Sequence, residues 1–600
     1  MPPDSTRQLR RNARATLLAY LVAGLFPIVV VVVRDGLLSR DITQPISYLG
    51  GDALGAIAGA KNLIDTGWSF HARFLGAPGQ ADFYDYPQCD FLNVLLLKIL
   101  TLITHNPVVS VTLFYVVSFP LCAWTALWAF RHIGISTPAA TVCAALYTLL
   151  PYHFYRGQVH LFLDNYAMIP PVALIAVWLA TGVSFDGDPP ATKRRRMAAL
   201  IVFATVCTGV YYGFFGAFII AIGGLLGGVR GRSWEPLKSA TLFLMVAVLA
   251  LVLNLAPTMW YRLENGPNSD VGGRRLDEAE IFSLRLTYLL LPNDSHEIPA
   301  LSAITRNYQK QLATGFEARS EALGFLGSAG FLVLLAVIFL AAAGRSPANP
   351  NAPPNQLAPH ELTLGILASL NLACILLATT AAVGSLIAFY ISPVIRSYNR
   401  ISVVIAFLSL GAVAVLIDRF VLRPLEARGR GAAGLFILTA LLIVATLDEV
   451  PLPPSDRPQQ LRDYARDARL VASIEKSVPA GSMIFQLPYL PYPEAGFVGH
   501  VEDYDPFRGY IHSTNLRWSY GAMRNRPQDK IDKDLAELPP VDMVPKLRAL
   551  GFAGIWLDLY GYDLAQWPAL VSAYSSATND STPLYSDDAD HRFFFFKIAP

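Results

Sequence analysis

Three stretches of the sequence gather the carboxylates, arginines and histidine that could do chemistry. The first reads Tyr48-Leu49-Gly50-Gly51-Asp52-Ala53 and runs on through Lys61, Gly67-Trp68 and Phe83-Tyr84-Asp85-Tyr86-Pro87. A carboxylate held at a reaction centre can take the proton of an attacking hydroxyl, which makes Asp52 and Asp85 candidate general bases. Asp52 also follows a Gly-Gly pair at the start of an amphipathic stretch, where Asp serves well as a helix N-cap. Spacing alone favours the cap. Two carboxylates on one loop do not make a retaining pair, which is defined by their separation in space. Lys61 reads first as a solvated helix face and second as a phosphate ligand; Tyr86 is a candidate substrate contact.

The second stretch holds Arg156, His160 and Asp164 at spacing i, i+4, i+8, which would line one face of a continuous helix. Arg156 or His160 could meet a phosphate, or the arginine could snorkel to lipid headgroups while the others are solvated. His160 and Asp164 are too few to make a metal site by themselves. The third stretch, Pro393-Val394-Ile395-Arg396-Ser397-Tyr398-Asn399-Arg400, sets two arginines around a tyrosine. Guanidinium binds phosphate in bidentate fashion, so Arg396 and Arg400 suit either a lipid-linked donor or anionic headgroups, with Tyr398 between them. Tyr211 and Tyr212 could line a cavity, although an interfacial aromatic belt is the commoner use. Arg517-Trp518-Ser519-Tyr520 suits an aromatic patch that stacks on a sugar, or a packed core.

The elements that position these residues are mostly apolar. Hydrophobic residues make up 53% of the 600 and charged residues 15%, against about 25% charged in soluble domains. That composition excludes a string of soluble domains. The net charge of +2 points to no nucleic-acid partner, and the five cysteines form no metal-ligand spacing or disulfide framework. Eleven apolar segments read as spans, at roughly 16–34, 108–130, 137–152, 166–182, 197–210, 213–228, 239–258, 323–343, 362–387, 400–418 and 433–447. The first follows four arginines without a cleavage site, which predicts an uncleaved anchor. Lys193-Arg194-Arg195-Arg196, Arg230, Arg232 and Arg419 crowd alternate loops. By the positive-inside bias the N-terminus is cytoplasmic and the C-terminus extracytoplasmic.

Residues 35–107 then form a long first outer loop with two interfacial helices, near 53–66 and 90–104. Residues 259–322 form another outer loop, rich in charge at Arg274-Arg275-Leu276-Asp277-Glu278, and 347–355 a flexible inner linker. At Asp448-Glu449-Val450-Pro451 the character changes, dividing a membrane module, 1–448, from an extracytoplasmic α/β domain, 449–600. There is no phosphate-cradling P-loop and no nucleophile elbow. No nucleotide cofactor is expected, and a divalent cation is left as an alternative to arginine charge. Asp503-Tyr504-Asp505 starts like a Ca²⁺ loop, but Arg508 and Thr514 stand where Gly and Glu are required.

One span, then a loop with two interfacial helices and an early Asp, then many spans and an outer C-terminal domain, resembles the GT-C superfamily of membrane glycosyltransferases. Asp52, Ala60-Lys61 and Gly67-Trp68 are similar to the first loop of the lipid A aminoarabinose transferases and protein O-mannosyltransferases. Tyr86-Pro87-Gln88 departs from the aminoarabinose branch, which carries Lys-Pro-Pro there. Leu150-Pro151-Tyr152-His153-Phe154-Tyr155-Arg156-Gly157 and Arg517-Trp518-Ser519-Tyr520-Gly521-Ala522 look similar to a bacterial branch of such enzymes. The resemblance implies a polytopic α-helical fold in a bacterial inner (cytoplasmic) membrane, among membrane lipids. It also implies inverting transfer of a sugar from a polyprenyl-phosphate-linked donor to a glycan, lipid or protein acceptor on the outer face, with Asp52 as base. Asp85 is the other candidate base, or a partner that orients the acceptor. A transporter or flippase for a lipid-linked saccharide is the alternative, and a glycan-binding scaffold a third. Spans almost free of charge argue against a transmembrane polar path.

Overall fold

The computed structural model describes residues 3–312, 320–343 and 359–598; the expected 347–355 linker lies outside the described residues. Each of the eleven apolar segments is helical, but they are not equal. Among the described residues, eight helices are long and apolar enough to cross a membrane: Ala13–Arg34, Pro107–Ile133, Val210–Gly231, Glu235–Asn265, Gly324–Ala342, His360–Ala378, Tyr398–Ala427 and Gly431–Glu449. The other three are α5 (Thr137–Thr148), α7 (Ile169–Thr181) and α8 (Pro189–Cys207). At 1.5 Å per residue, the 12 residues of α5 and 13 of α7 fall short of a bilayer core of about 30 Å. Both are buried almost all round, the mark of helices packed inside a bundle. α8 is long enough, but Lys193–Arg196 charges its first half.

The 362–387 segment breaks as well. Its helix stops at Ala378 and a second, Val383–Tyr390, begins after a turn in which Ala381 is left-handed. The helix Ser402–Ile417 is buried on nearly every side and packs against the Gly324–Ala342 and Pro359–Ala378 helices.

The first long loop follows α1 (Pro3–Arg34) and contains α2 (Asp52–Asp65) and α3 (Phe91–Thr104), the two expected amphipathic helices. α3 turns into α4 (Pro107–Ile133) through Asn106, which accepts from the Val109 amide at 3.1 Å and is followed by Pro107. A side-chain cap with proline as first helical residue is a strong start signal. α6 (Pro151–Val159) is short and lies near α2, while α9 (Val210–Gly231) and α10 (Glu235–Asn265) pack against each other.

Region 449–598 is an α/β unit with a five-stranded sheet. Its strands lie in the order 517–518, 483–487, 552–558, 593–597, 584–585. The first three run parallel and the 593–597 strand is antiparallel to both its neighbours. The first long loop prolongs this sheet. Leu75 pairs with Trp518; the Trp518 amide donates to Phe74 O at 2.8 Å and the Ala77 amide to Trp518 O at 3.0 Å. One apolar core contains Tyr48, Leu54, Ile57 and Leu75 from the loop together with Leu470, Ile474 and Trp518. The loop and the C-terminal region are therefore one folded body.

That junction accounts for two expected sugar contacts. Trp518 is wholly buried, its indole N–H donating to Ser513 Oγ at 2.9 Å, so its ring offers no face to a sugar. Arg517 donates to Pro78 O and Gly79 O at 2.8 and 2.5 Å and ties the loop to the strand. Both are corrections to the expected aromatic patch.

A buried charge cluster closes the same junction. Arg526 donates to both Asp85 oxygens, at 2.6 and 2.8 Å, and Asn268 donates to Asp85 Oδ2 at 3.1 Å. Arg262, near the end of α10, donates to Asp85 O at 2.8 Å. Burial would raise the Asp85 carboxyl, but hydrogen bonds from Arg526 and Asn268 and the Arg526 and Arg262 charges hold it below its ordinary value. Removing one partner of a buried ion pair costs about 3–5 kcal/mol, because the other charge is stranded. Arg526→Met should therefore lower the thermal unfolding midpoint of the purified protein, and Asp85→Asn added to it should cost less than the sum of the singles. Because Asp85 is depressed, the stabilisation is present above the usual carboxylate pKa near 4 and fades as pH falls through the lowered value. Strictly additive midpoints, or an Arg526→Met loss that does not shrink in acid, would refute the clamp.

Candidate functional site

The start of α2 is where the first loop, the α6 turn and the C-terminal region converge. Gly51 precedes the helix with φ of 63°, and its amide donates to Asp503 O at 3.0 Å. A Cβ on Gly50 would fall 2.5 Å from Glu502 Oε2. The Gly-Gly pair thus lets the 494–505 hairpin press onto the helix end, and Gly51 takes a backbone conformation that favours glycine. Asp52 is the first helical residue. Gly51 is the cap, and no side chain caps the helix, so the N-cap reading of Asp52 is corrected.

The Asp52 carboxylate pairs with His160 Nδ1, and the two side chains remain 45% and 25% exposed. His160 reaches it because α6 ends at Val159 and His160 leaves helical geometry at φ −124°, ψ 74°. The expected common face of Arg156, His160 and Asp164 does not exist for the same reason. Arg156 is buried with its guanidinium 5.5 Å from the Tyr152 ring centre, and buried Asp164 packs against Gly157.

Around Asp52 stand carboxylates and phenols of the hairpin and loop. Burial raises Glu502, and the charges of Asp505, Asp503 and Asp52 add to it; burial likewise raises Asp503, with Asp52 and Glu494 contributing. Burial holds the Tyr86, Tyr492 and Tyr504 hydroxyls above their usual range, and the Asp52 charge adds to each. They are neutral donors beside an acceptor-rich centre. Arg274 grips Glu494 at 2.6 and 2.8 Å, and Arg396 lies 3.2 Å from Glu278 and 3.9 Å from Glu494. Arg396 is thus joined to the hairpin through a shared carboxylate.

Arg400 lies 4.3 Å from the Tyr211 ring centre. Asp90, just before α3, is raised to about 7 by burial, against the pull of the Arg400 charge. The remaining expected residues lie elsewhere. Lys61 is not on a solvated face: it is buried, pairs with Asp65 at 3.0 Å and covers the Tyr510 ring. Tyr212 is buried, with its hydroxyl on Leu163 O and near Tyr152, which places it in packing and not in an interfacial belt. Tyr398 is buried against Phe214. Asp85 has both oxygens taken by the junction clamp.

The structure therefore pairs Asp52 with His160 and sets Tyr86 within the field of its charge, while Glu494 is shared by Arg274 and Arg396. Glu494, Arg274, Tyr492 and Asp90 also stand in this region, and of these only Arg274 carries a sequence signal, in the charge-rich run at 274–278. Among the described residues, no group of three or more His, Cys, Asp or Glu is arranged to hold a metal ion.

Several solved structures are similar to the chain. ArnT from Cupriavidus metallidurans bound to undecaprenyl phosphate is 12% identical with a TM-score of 0.49, over 99% of this chain and 98% of that one. The oligosaccharyltransferase AglB from Archaeoglobus fulgidus, in complex with an inhibitory peptide and a dolichol-phosphate, is 11% identical with a TM-score of 0.44, over 97% of this chain and 74% of that one. The arabinofuranosyltransferase AftD from Mycobacteria is 14% identical with a TM-score of 0.43, over 97% and 41%. No curated protein matches the sequence. Residues 92–448 match the model described as Domain of unknown function (DUF6311), and the chain belongs to that family.

Proposed function

We propose that the protein is an inverting glycosyltransferase of the membrane, moving a sugar from a polyprenyl-phosphate-linked donor to an acceptor on the outer face. The observation that carries this reading is the Asp52–His160 pair: a half-exposed carboxylate at a helix N-terminus, oriented by a histidine from another element. The first-loop resemblance supports the same residue.

In the reaction, an acceptor hydroxyl attacks the anomeric carbon from the face opposite the phosphate. The new C–O bond forms as the bond to the phosphate oxygen breaks. The hydroxyl proton passes to Asp52, and the polyprenyl phosphate leaves. His160 fixes the carboxylate, while Tyr86 and Tyr492 donate hydrogen bonds. Arg396 and Arg400 offset charge on the departing phosphate. Asp85 acts as a positioning residue, holding the loop that bears Tyr86.

Removing a general base costs about 10²–10⁴-fold. Asp52→Asn in proteoliposomes supplied with polyprenyl-phosphate-linked hexoses and pentoses, and cell-envelope extract as acceptor, should lose turnover by that factor while still retaining polyprenyl phosphate. Full transfer by this variant overturns the assignment of the base; scrambling of the lipid-linked sugar with no transfer by the wild type favours transport.

A pH dependence follows from Asp90. Below about 7 its carboxyl is neutral; above it the carboxylate charge offsets that of Arg400 and weakens the attraction for a phosphate. Polyprenyl phosphate should bind more weakly as pH rises from 6 to 8, and Asp90→Asn should flatten the change. An unchanged slope in Asp90→Asn shows that Asp90 is not the group whose titration sets the pH dependence.

A further inference from the structure

We infer that a cleft in the C-terminal region, beside the candidate site, is a saccharide-binding subsite that holds the acceptor glycan. This rests on the transferase reading and adds the acceptor class to it. The cleft is about 530 Å³ and is lined by Tyr560, Tyr562 and Trp567 with His500, Asp563 and Gln566. Its size lies within the range of small-ligand sites, about 300–1,000 Å³. Aromatic walls suit the apolar C–H faces of a sugar ring, and the carboxylate, amide and imidazole can meet its hydroxyls.

The walls are held from behind. Arg592 bonds Asp558 at 2.6 Å and Asp505 at 3.2 Å and lies 4.7 Å from the Tyr560 ring centre. The Trp567 indole N–H donates to Tyr562 O at 3.1 Å, and the Tyr560 and Trp567 rings lie 23° from parallel, 5.9 Å apart. Aromatic orientation is thus set without a ligand, which lowers the cost of binding.

The same hairpin that covers Asp52 forms the cleft's near wall. Val498 and Val501 pair across its tip, and the His500 amide donates to Tyr560 O at 2.7 Å. Only two residues later Glu502 lies against Gly50, and Asp503 accepts from the Gly51 amide. Two extended residues span at most about 7 Å. A glycan seated at Trp567 could therefore run along the hairpin towards Asp52. Asp563 lies on the lining and Asp590 accepts from Tyr560 Oη, so the cleft favours neutral or amino sugars over uronic acids.

The test uses the full-length protein in detergent, because the first loop shares a core with this region. Calorimetry with hexamers of glucose, N-acetylglucosamine and galacturonic acid should show saturable binding of a neutral hexamer, tighter than the acidic one. Trp567→Ala should weaken that binding at least tenfold with its unfolding midpoint kept, and Trp567→Phe should retain most of it. No binding by any hexamer, preference for galacturonate, or unchanged affinity in Trp567→Ala overturns the subsite. Asp52→Asn should bind the hexamer like the wild type. Should the base assignment fail, this binding is unaffected; should the subsite fail, the Asp52 transfer result still stands.

Discussion

Asp85 ties together segments remote in the chain: its own loop, the end of α10 through Arg262, Asn268 in the second long loop, and Arg526 in the C-terminal region. Ionised carboxylates are expensive to bury, and this one is matched by a bidentate guanidinium and further donors. The geometry of everything nearby follows from it. The loop that bears Tyr86 is held where its backbone meets the hairpin, and the sheet edge at Trp518 receives residues 74–77. Charge fixes the register of the junction; the apolar core around Leu54, Leu75 and Ile474 supplies its bulk stability.

Asp52 is left open by contrast. Its neighbours are the backbone of two glycines, a histidine from the α6 turn and a hairpin of acids and phenols. A side chain at position 50 would meet the Glu502 carboxylate, which would have to swing away from the helix end. The two glycines therefore do for the site what Asp85 does for the loop: they permit a close approach that brings chain 450 residues distant beside the carboxylate. Both devices act before substrate arrives.

How much of this is legible in the sequence depends on the range of the interaction. Helices set by local apolarity were readable, including α2 and α3 within a residue or two and the helical state of every apolar segment. Whether α5 and α7 span was not, because short apolar helices inside a bundle share the composition of spans. Arg156, His160 and Asp164 misled for a related reason: periodicity assumes an unbroken helix, and the chain leaves it at His160. Trp518 and Arg517 were ambiguous because stacking on sugar and packing in a core ask for the same residue types. The Asp52–His160 pair, separated by 108 residues, has no local signal, nor has the Glu494 bridge between Arg274 and Arg396.

Three carboxylates of one loop show how environment divides labour among identical groups. Asp85 is surrounded by donors and kept ionised, which suits it to hold structure and withholds it from proton exchange. Asp90 is half-buried, and desolvation raises it to about 7 against the pull of the Arg400 charge. Asp52 alone keeps both solvent access and an orienting partner. A base must meet its substrate and also be held still, and those demands conflict for a side chain on the surface or in the core. The end of a helix, covered on one side by a hairpin that glycines allow to approach, satisfies both. That is the physical ground on which Asp52, and neither of its neighbours, is proposed as the base.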